Sequence, residues 1–120
     1  MRLAPFAIAL PFAFACSSKM YIQSIRYPGI ELASRSPDCE IRFLTESATP
    51  DTTCEAIGDV FVGDTGFSTN CDIARVRGDV RRNACDLGGD TVTLRKVPDG
   101  ISTCSQVRAL VYRCAAAATR

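Results

Sequence analysis

The chain has no histidine and no tryptophan. Without histidine, the commonest general base and a frequent zinc ligand are both missing. An excess of charge of one sign is missing too, since 14 basic and 13 acidic residues leave a net charge of +1. No global field therefore draws the chain to nucleic acid or to acidic lipid, and nucleic acid is not an expected partner. Cysteines never fall as C-x-x-C: Cys39, Cys54, Cys71, Cys85, Cys104 and Cys114 lie 15, 17, 14, 19 and 10 residues apart. Structural zinc sites draw on close cysteine pairs or histidines, so neither a metal nor a cofactor is expected. Long apolar runs are missing as well. The apolar stretch LAPFAIALPFAFA at residues 3–15 falls short of the roughly 20 residues a membrane span needs.

What is present begins with that same stretch. It follows Arg2 and ends in small residues, the pattern of an export signal over residues 1–15. Pro5 and Pro11 interrupt it, which argues against a buried helix. Ala13-Phe14-Ala15 fits the A-x-A rule of ordinary secretory cleavage. Followed by Cys16, the same residues are similar to a bacterial lipobox, with Ala13 where leucine is usual. In a lipobox the cysteine is lipidated and becomes residue one. Taken alone, the four residues fit both cleavages.

The other cysteines bear on that choice. Setting Cys16 aside leaves an even six, which in an exported chain predicts three disulfides. Cys16 is then the odd one out, and lipidation gives it a fate as a membrane-lipid anchor. The alternative is a soluble secreted protein, cleaved after Ala15, with Cys16 free or paired between molecules.

At 120 residues, 47% apolar and 22% charged, the chain suits one globular domain. Residues 16–38 contain Pro28-Gly29 and Ser36-Pro37-Asp38 and lack sustained periodicity, so they are expected to be a lipidated N-terminus and tether. Tyr21, Ile22, Ile25 and Tyr27 are more apolar than a spacer requires, and suggest that part of the tether lies against the domain or a membrane. The domain is assigned to residues 39–114 and a disordered tail to 115–120.

Alternation of Ile41 and Phe43 with Glu40 and Arg42 predicts a strand over 39–44. A second is predicted over 55–62, with Gly58 marking a bulge or close contact. Ile73, Val76, Val80, Ala84 and Leu87 recur at helical steps and predict a helix over about 71–87. Thr69 or Asn70 is expected to cap it, and Gly88-Gly89 to stop it. Asp72, Arg75, Asp79, Arg82 and Asp86 alternate in sign as on a solvated helix face. The cluster Arg75, Arg77, Arg81 and Arg82 suits either that face or a docking patch. Arg77-Gly78-Asp79 matches an integrin-recognition tripeptide, but a helix forbids the extended loop that recognition needs.

Two further strands, 90–97 and 105–114, flank a hairpin loop. The predicted order is β-β-α-β-β, an α+β domain with one helix on a small, mostly antiparallel sheet. In such a hairpin Cys114 returns beside the helix end that carries Cys85, while Cys104 faces the helix start at Cys71. The expected bridges are therefore Cys71–Cys104 and Cys85–Cys114, leaving Cys39–Cys54.

Glu55-Ala56-Ile57-Gly58-Asp59-Val60 is similar to a strand motif ending in (Leu/Ile)-Gly-x-Val. The stretch from Ala84 through Leu87-Gly88-Gly89-Asp90 to Val92 is similar to a helix-to-strand motif. With the cysteine-flanked last strand, residues 54–114 resemble the RcsF-type outer-membrane lipoproteins and their small bacterial relatives. The resemblance implies a lipidated N-terminal cysteine, a disulfide-bonded α+β domain facing the periplasm, and a role in reporting envelope damage. It also implies a bridge between Cys71 and Cys104. The chain departs from that pattern in lacking a long proline-rich tether and in carrying extra cysteines.

With disulfides consuming the thiols and no acidic pair standing out, no enzyme is expected. The expectation is a non-enzymatic binding or stress-sensing module of the bacterial envelope, anchored through Cys16, with an envelope protein as partner. A structural or accessory envelope lipoprotein is the other reading.

Overall fold

Among the described residues, alternating side chains and one amphipathic run build one helix on a five-stranded sheet. The computed structural model describes residues 20–45, 48, 50–64, 72–97 and 104–114. In chain order the elements are β1 (Tyr21–Arg26), β2 (Arg42–Leu44), β3 (Cys54–Gly63), α1 (Ile73–Leu87), β4 (Thr91–Lys96) and β5 (Val107–Cys114). Across the sheet the order is β1-β3-β5-β4-β2. All neighbours are antiparallel except β2 and β4, which run parallel.

The helix begins one residue after Asp72, whose side chain accepts the Arg75 N–H at 2.8 Å. Asp72 is thus the N-cap in place of the expected Thr69 or Asn70, which lie outside the described residues. At the other end Gly88 adopts φ +89°, the left-handed conformation that glycine takes without strain, and its N–H returns to the last turn. Val76, Val80, Ala84 and Leu87 of α1 are buried against Gly58, Val60 and Val62 of β3 and Val107, Ala109 and Val111 of β5. Burying each of these side chains is worth roughly 1.5–3 kcal/mol for the larger ones. Ile73, expected on this face, is 39% exposed at the helix start.

Gly58 meets both expectations set for it. The β3–β5 register shifts between Ala56 and Gly58, and a Cβ at Gly58 would stand 2.3 Å from the Ile25 carbonyl oxygen.

Three expectations are corrected. Within the assigned tether, residues 20–38 are part of the domain: β1 pairs with β3 along all six residues, and Met20 is buried in the core. Beyond it Ile30 and Leu32 pack on the core, and the Arg35 N–H reaches the Cys85 carbonyl at 2.8 Å. As an edge strand exposed along most of its length, β1 has no buried side to imprint an alternation on its sequence. The element order along the chain is consequently β-β-β-α-β-β. The strand expected over 39–44 shrinks to Arg42–Leu44, because Cys39 still belongs to a turn closed on Ser36.

The third correction concerns the bridges, which are Cys39–Cys85 and Cys54–Cys114. Cys114 does return beside the start of β4, where the Asp90 N–H donates to the Tyr112 carbonyl. But β3 occupies the other side of β5, so Cys54 opens β3 directly opposite Cys114, with Cα atoms 3.9 Å apart. Cys85 meets Cys39 instead, because residues 34–39 run past the helix C-terminus. Cys104 is also disulfide-bonded. Its expected partner Cys71 lies outside the described residues, as do Cys16, the signal segment 1–15 and the tail 115–120.

Candidate docking surface

Register decides which side chains share a face. Gly58, Val60 and Val62 point to α1 together with their partners Val111, Ala109 and Val107. Alternation then turns Asp59 and Phe61 of β3, and Arg108, Leu110 and Tyr112 of β5, to the opposite side. Tyr21, Gln23 and Ile25 of β1 and Thr93 and Arg95 of β4 join them through their paired positions. Among the described residues no helix or strand packs on this side. Tyr21 and Ile25 are 52% and 43% exposed, and Phe61, Leu110 and Tyr112 are half-buried.

Two transverse rows organise the surface. One runs Gln23, Phe61, Arg108, Arg95; the next runs Ile25, Asp59, Leu110, Thr93. The Arg108 guanidinium lies 5.8 Å from the Phe61 ring centre, within reach of a cation–π contact. Arg95 stands directly opposite Arg108, and among the described residues neither has an acidic partner. Like charges directly opposite on a sheet are destabilising. Between the two rows is a cavity of about 190 Å³ lined by Thr93, Leu94, Arg95, Arg108 and Leu110. Asp59 accepts the Tyr27 hydroxyl at 3.4 Å, and burial followed by the nearby Asp59 charge pushes the Tyr27 phenol up.

A second recess, about 540 Å³, opens beside the Cys39–Cys85 bridge. Arg35, Glu40, Arg42, Arg81 and Asp90 line it. Arg35 is committed to the Gly89 carbonyl at 2.6 Å, and Asp90 to the backbone of Cys114. The remaining charges are of both signs, so the recess selects no clear class of ligand.

The helix arginines do not form one patch. Arg75 and Arg82 both turn to Asp79, Arg77 lies over the Phe43 ring at 5.5 Å, and Arg81 lines the recess. Asp79, expected on a solvated face, is 4% exposed. Met20, just before the unforeseen first strand, and Ile22 within it line a cavity with Asp79, Arg75 and Arg82. Sequence reasoning missed the sheet surface, because Arg95 and Arg108 are thirteen positions apart and meet only through the β4–β5 pairing.

No helix among the described residues is long and apolar enough to cross a membrane. No family model, curated protein or solved structure matches the chain.

Proposed function

We propose that this chain is an exported bacterial envelope lipoprotein, a non-enzymatic binding or stress-sensing module held at the membrane through Cys16. The observation that carries the reading is the state of its cysteines: all five described ones are disulfide-bonded, which suits an oxidising compartment. An apolar stretch of export type precedes them in the sequence, and Cys16 follows it directly. The resemblance of residues 54–114 to RcsF-type lipoproteins points the same way and implies an outer-membrane location facing the periplasm.

The fold changes what the anchor implies. Cys16 is five residues from Tyr21, the first residue of β1. Even fully extended, that distance is at most about 18 Å. A lipid on Cys16 would hold the domain close to the bilayer, where a 22-residue tether would have let it range. Mass analysis of the mature protein tests the reading. A diacylglyceryl mass on Cys16 is expected, and an unmodified chain beginning at Cys16 would overturn the anchor. Peptides cut without reduction should contain Cys39–Cys85 and Cys54–Cys114.

A further inference from the structure

We infer that the sheet surface around Arg95 and Arg108 is a docking site for an extended acidic segment of a partner protein. The inference rests on the binding-module reading above and not on the anchor. Arg95 and Arg108 are paired across β4 and β5 and line one cavity, with no acidic partner among the described residues. Their repulsion costs stability in the isolated domain. A carboxylate seated between them turns that cost into two charge-assisted hydrogen bonds. The Thr93 hydroxyl and the Leu110 side chain lie two residues further along the same strands and line the same cavity.

Spacing specifies the ligand further. Positions i and i+2 on a strand are about 6.8 Å apart, and an extended peptide carries its own alternate side chains at the same interval. A segment lying along β5 therefore presents an acidic residue to Arg95 and Arg108 and, two residues on, an apolar one to Leu110. Phe61 lies beside Arg108 and widens the apolar floor. A charged bilayer is the poorer occupant. The apolar residues at the centre of this surface are half-buried, and Asp59 puts a negative charge in the same row as Leu110. A uniformly anionic surface cannot avoid Asp59, whereas a peptide can.

The test uses the mature full chain in neutral detergent and a labelled twelve-residue peptide, Glu-Ser-Leu-Ser repeated three times, read by fluorescence anisotropy. Binding is expected, weakening as salt rises, with no binding of the peptide in which lysine replaces glutamate. Arg95→Thr and Arg108→Thr should each weaken it about tenfold, and Arg77→Ala, on the helix side, should leave it unchanged. Absence of binding, equal binding of both peptides, or indifference to the two threonine variants would overturn the inference. So would binding to phosphatidylethanolamine–phosphatidylglycerol vesicles that Arg95→Thr abolishes while the acidic peptide is ignored, which would make the occupant a membrane. A specific partner cross-linked to the chain in membranes through another surface would sink this site and leave the binding-module reading standing.

Discussion

Both carboxylate oxygens of Asp90 accept the backbone N–H of Cys114, at 3.1 and 3.2 Å. The same carboxylate accepts the Thr91 hydroxyl at 2.9 Å and lies 3.7 Å from the Arg113 guanidinium. Asp90 is 8% exposed and its own N–H donates to the Tyr112 carbonyl, so one residue fixes the end of β5 and with it the Cys54–Cys114 bridge. Asp90→Ala leaves a buried N–H and a hydroxyl without their acceptor. The expected loss is about 1–3 kcal/mol, with Asp90→Asn losing less because it keeps one oxygen. Urea denaturation of the oxidised protein measures both.

Gly58 sets how closely β1 approaches β3. A Cβ there would stand 2.3 Å from the Ile25 carbonyl oxygen and 3.1 Å from Leu87 Cδ1. Gly58→Ala must therefore push β1 outward or shift the helix end, at about 1–3 kcal/mol. Amide hydrogen exchange should locate the damage, with protection falling across residues 21–26 and holding in β5. Unchanged exchange in β1 would count against this account of the contact.

Arg95 is predicted to be a stabilising position to mutate. Arg95→Glu sets a carboxylate opposite Arg108 and should raise stability by roughly 0.2–1 kcal/mol. The gain should shrink in high salt, because both groups are exposed. Thermal denaturation at two ionic strengths checks it. The same variant should lose the acidic peptide, so stability and binding move in opposite directions.

Tyr27 gives the protein a pH dependence at the alkaline end. Its phenol is raised above the ordinary value by burial and by the neighbouring Asp59 carboxylate, whose hydrogen bond favours the protonated form. The folded state thus holds this proton more tightly than the unfolded chain. That contribution is complete below the unfolded phenol's pKa near 10 and is lost as pH rises through the folded value. Tyr27 should form its tyrosinate at higher pH than a free tyrosine does. Tyr27→Phe should remove that late absorbance step, and Asp59→Asn should bring it to lower pH.

The helix and its stop were legible because burial stamped a period on the sequence. Val76, Val80, Ala84 and Leu87 mark the buried face, and Gly88 takes the one backbone conformation that favours glycine. Gly58 was legible for a similar reason, as a glycine interrupting an otherwise apolar strand. β1 was not, since a strand exposed on both faces carries no alternation to read. The bridges failed for a topological reason. Inserting β3 between β1 and β5 is a long-range choice, and it alone determines that Cys114 meets Cys54. Asp79 misled because its neighbours on the helix surface are charged, while Met20 and Ile22, which share a cavity with it, come from the unforeseen N-terminal part of the domain. The docking surface shares that fate: pairing partners create it, and no local motif announces them.

The Cys39–Cys85 and Cys54–Cys114 bridges close covalent loops over residues 39–85 and 54–114, and β1 precedes both. Force applied at Met20 therefore reaches β1 without stretching Cys39–Cys85 or Cys54–Cys114. The ladder to β3 and the seat of Met20 yield first, while the remaining four strands and the helix stay stapled together. Mechanically, β1 is a breakaway strand at the end where an anchor on Cys16 would pull. Tension on an anchor would uncover the flank of β3 and leave the rest of the sheet in place.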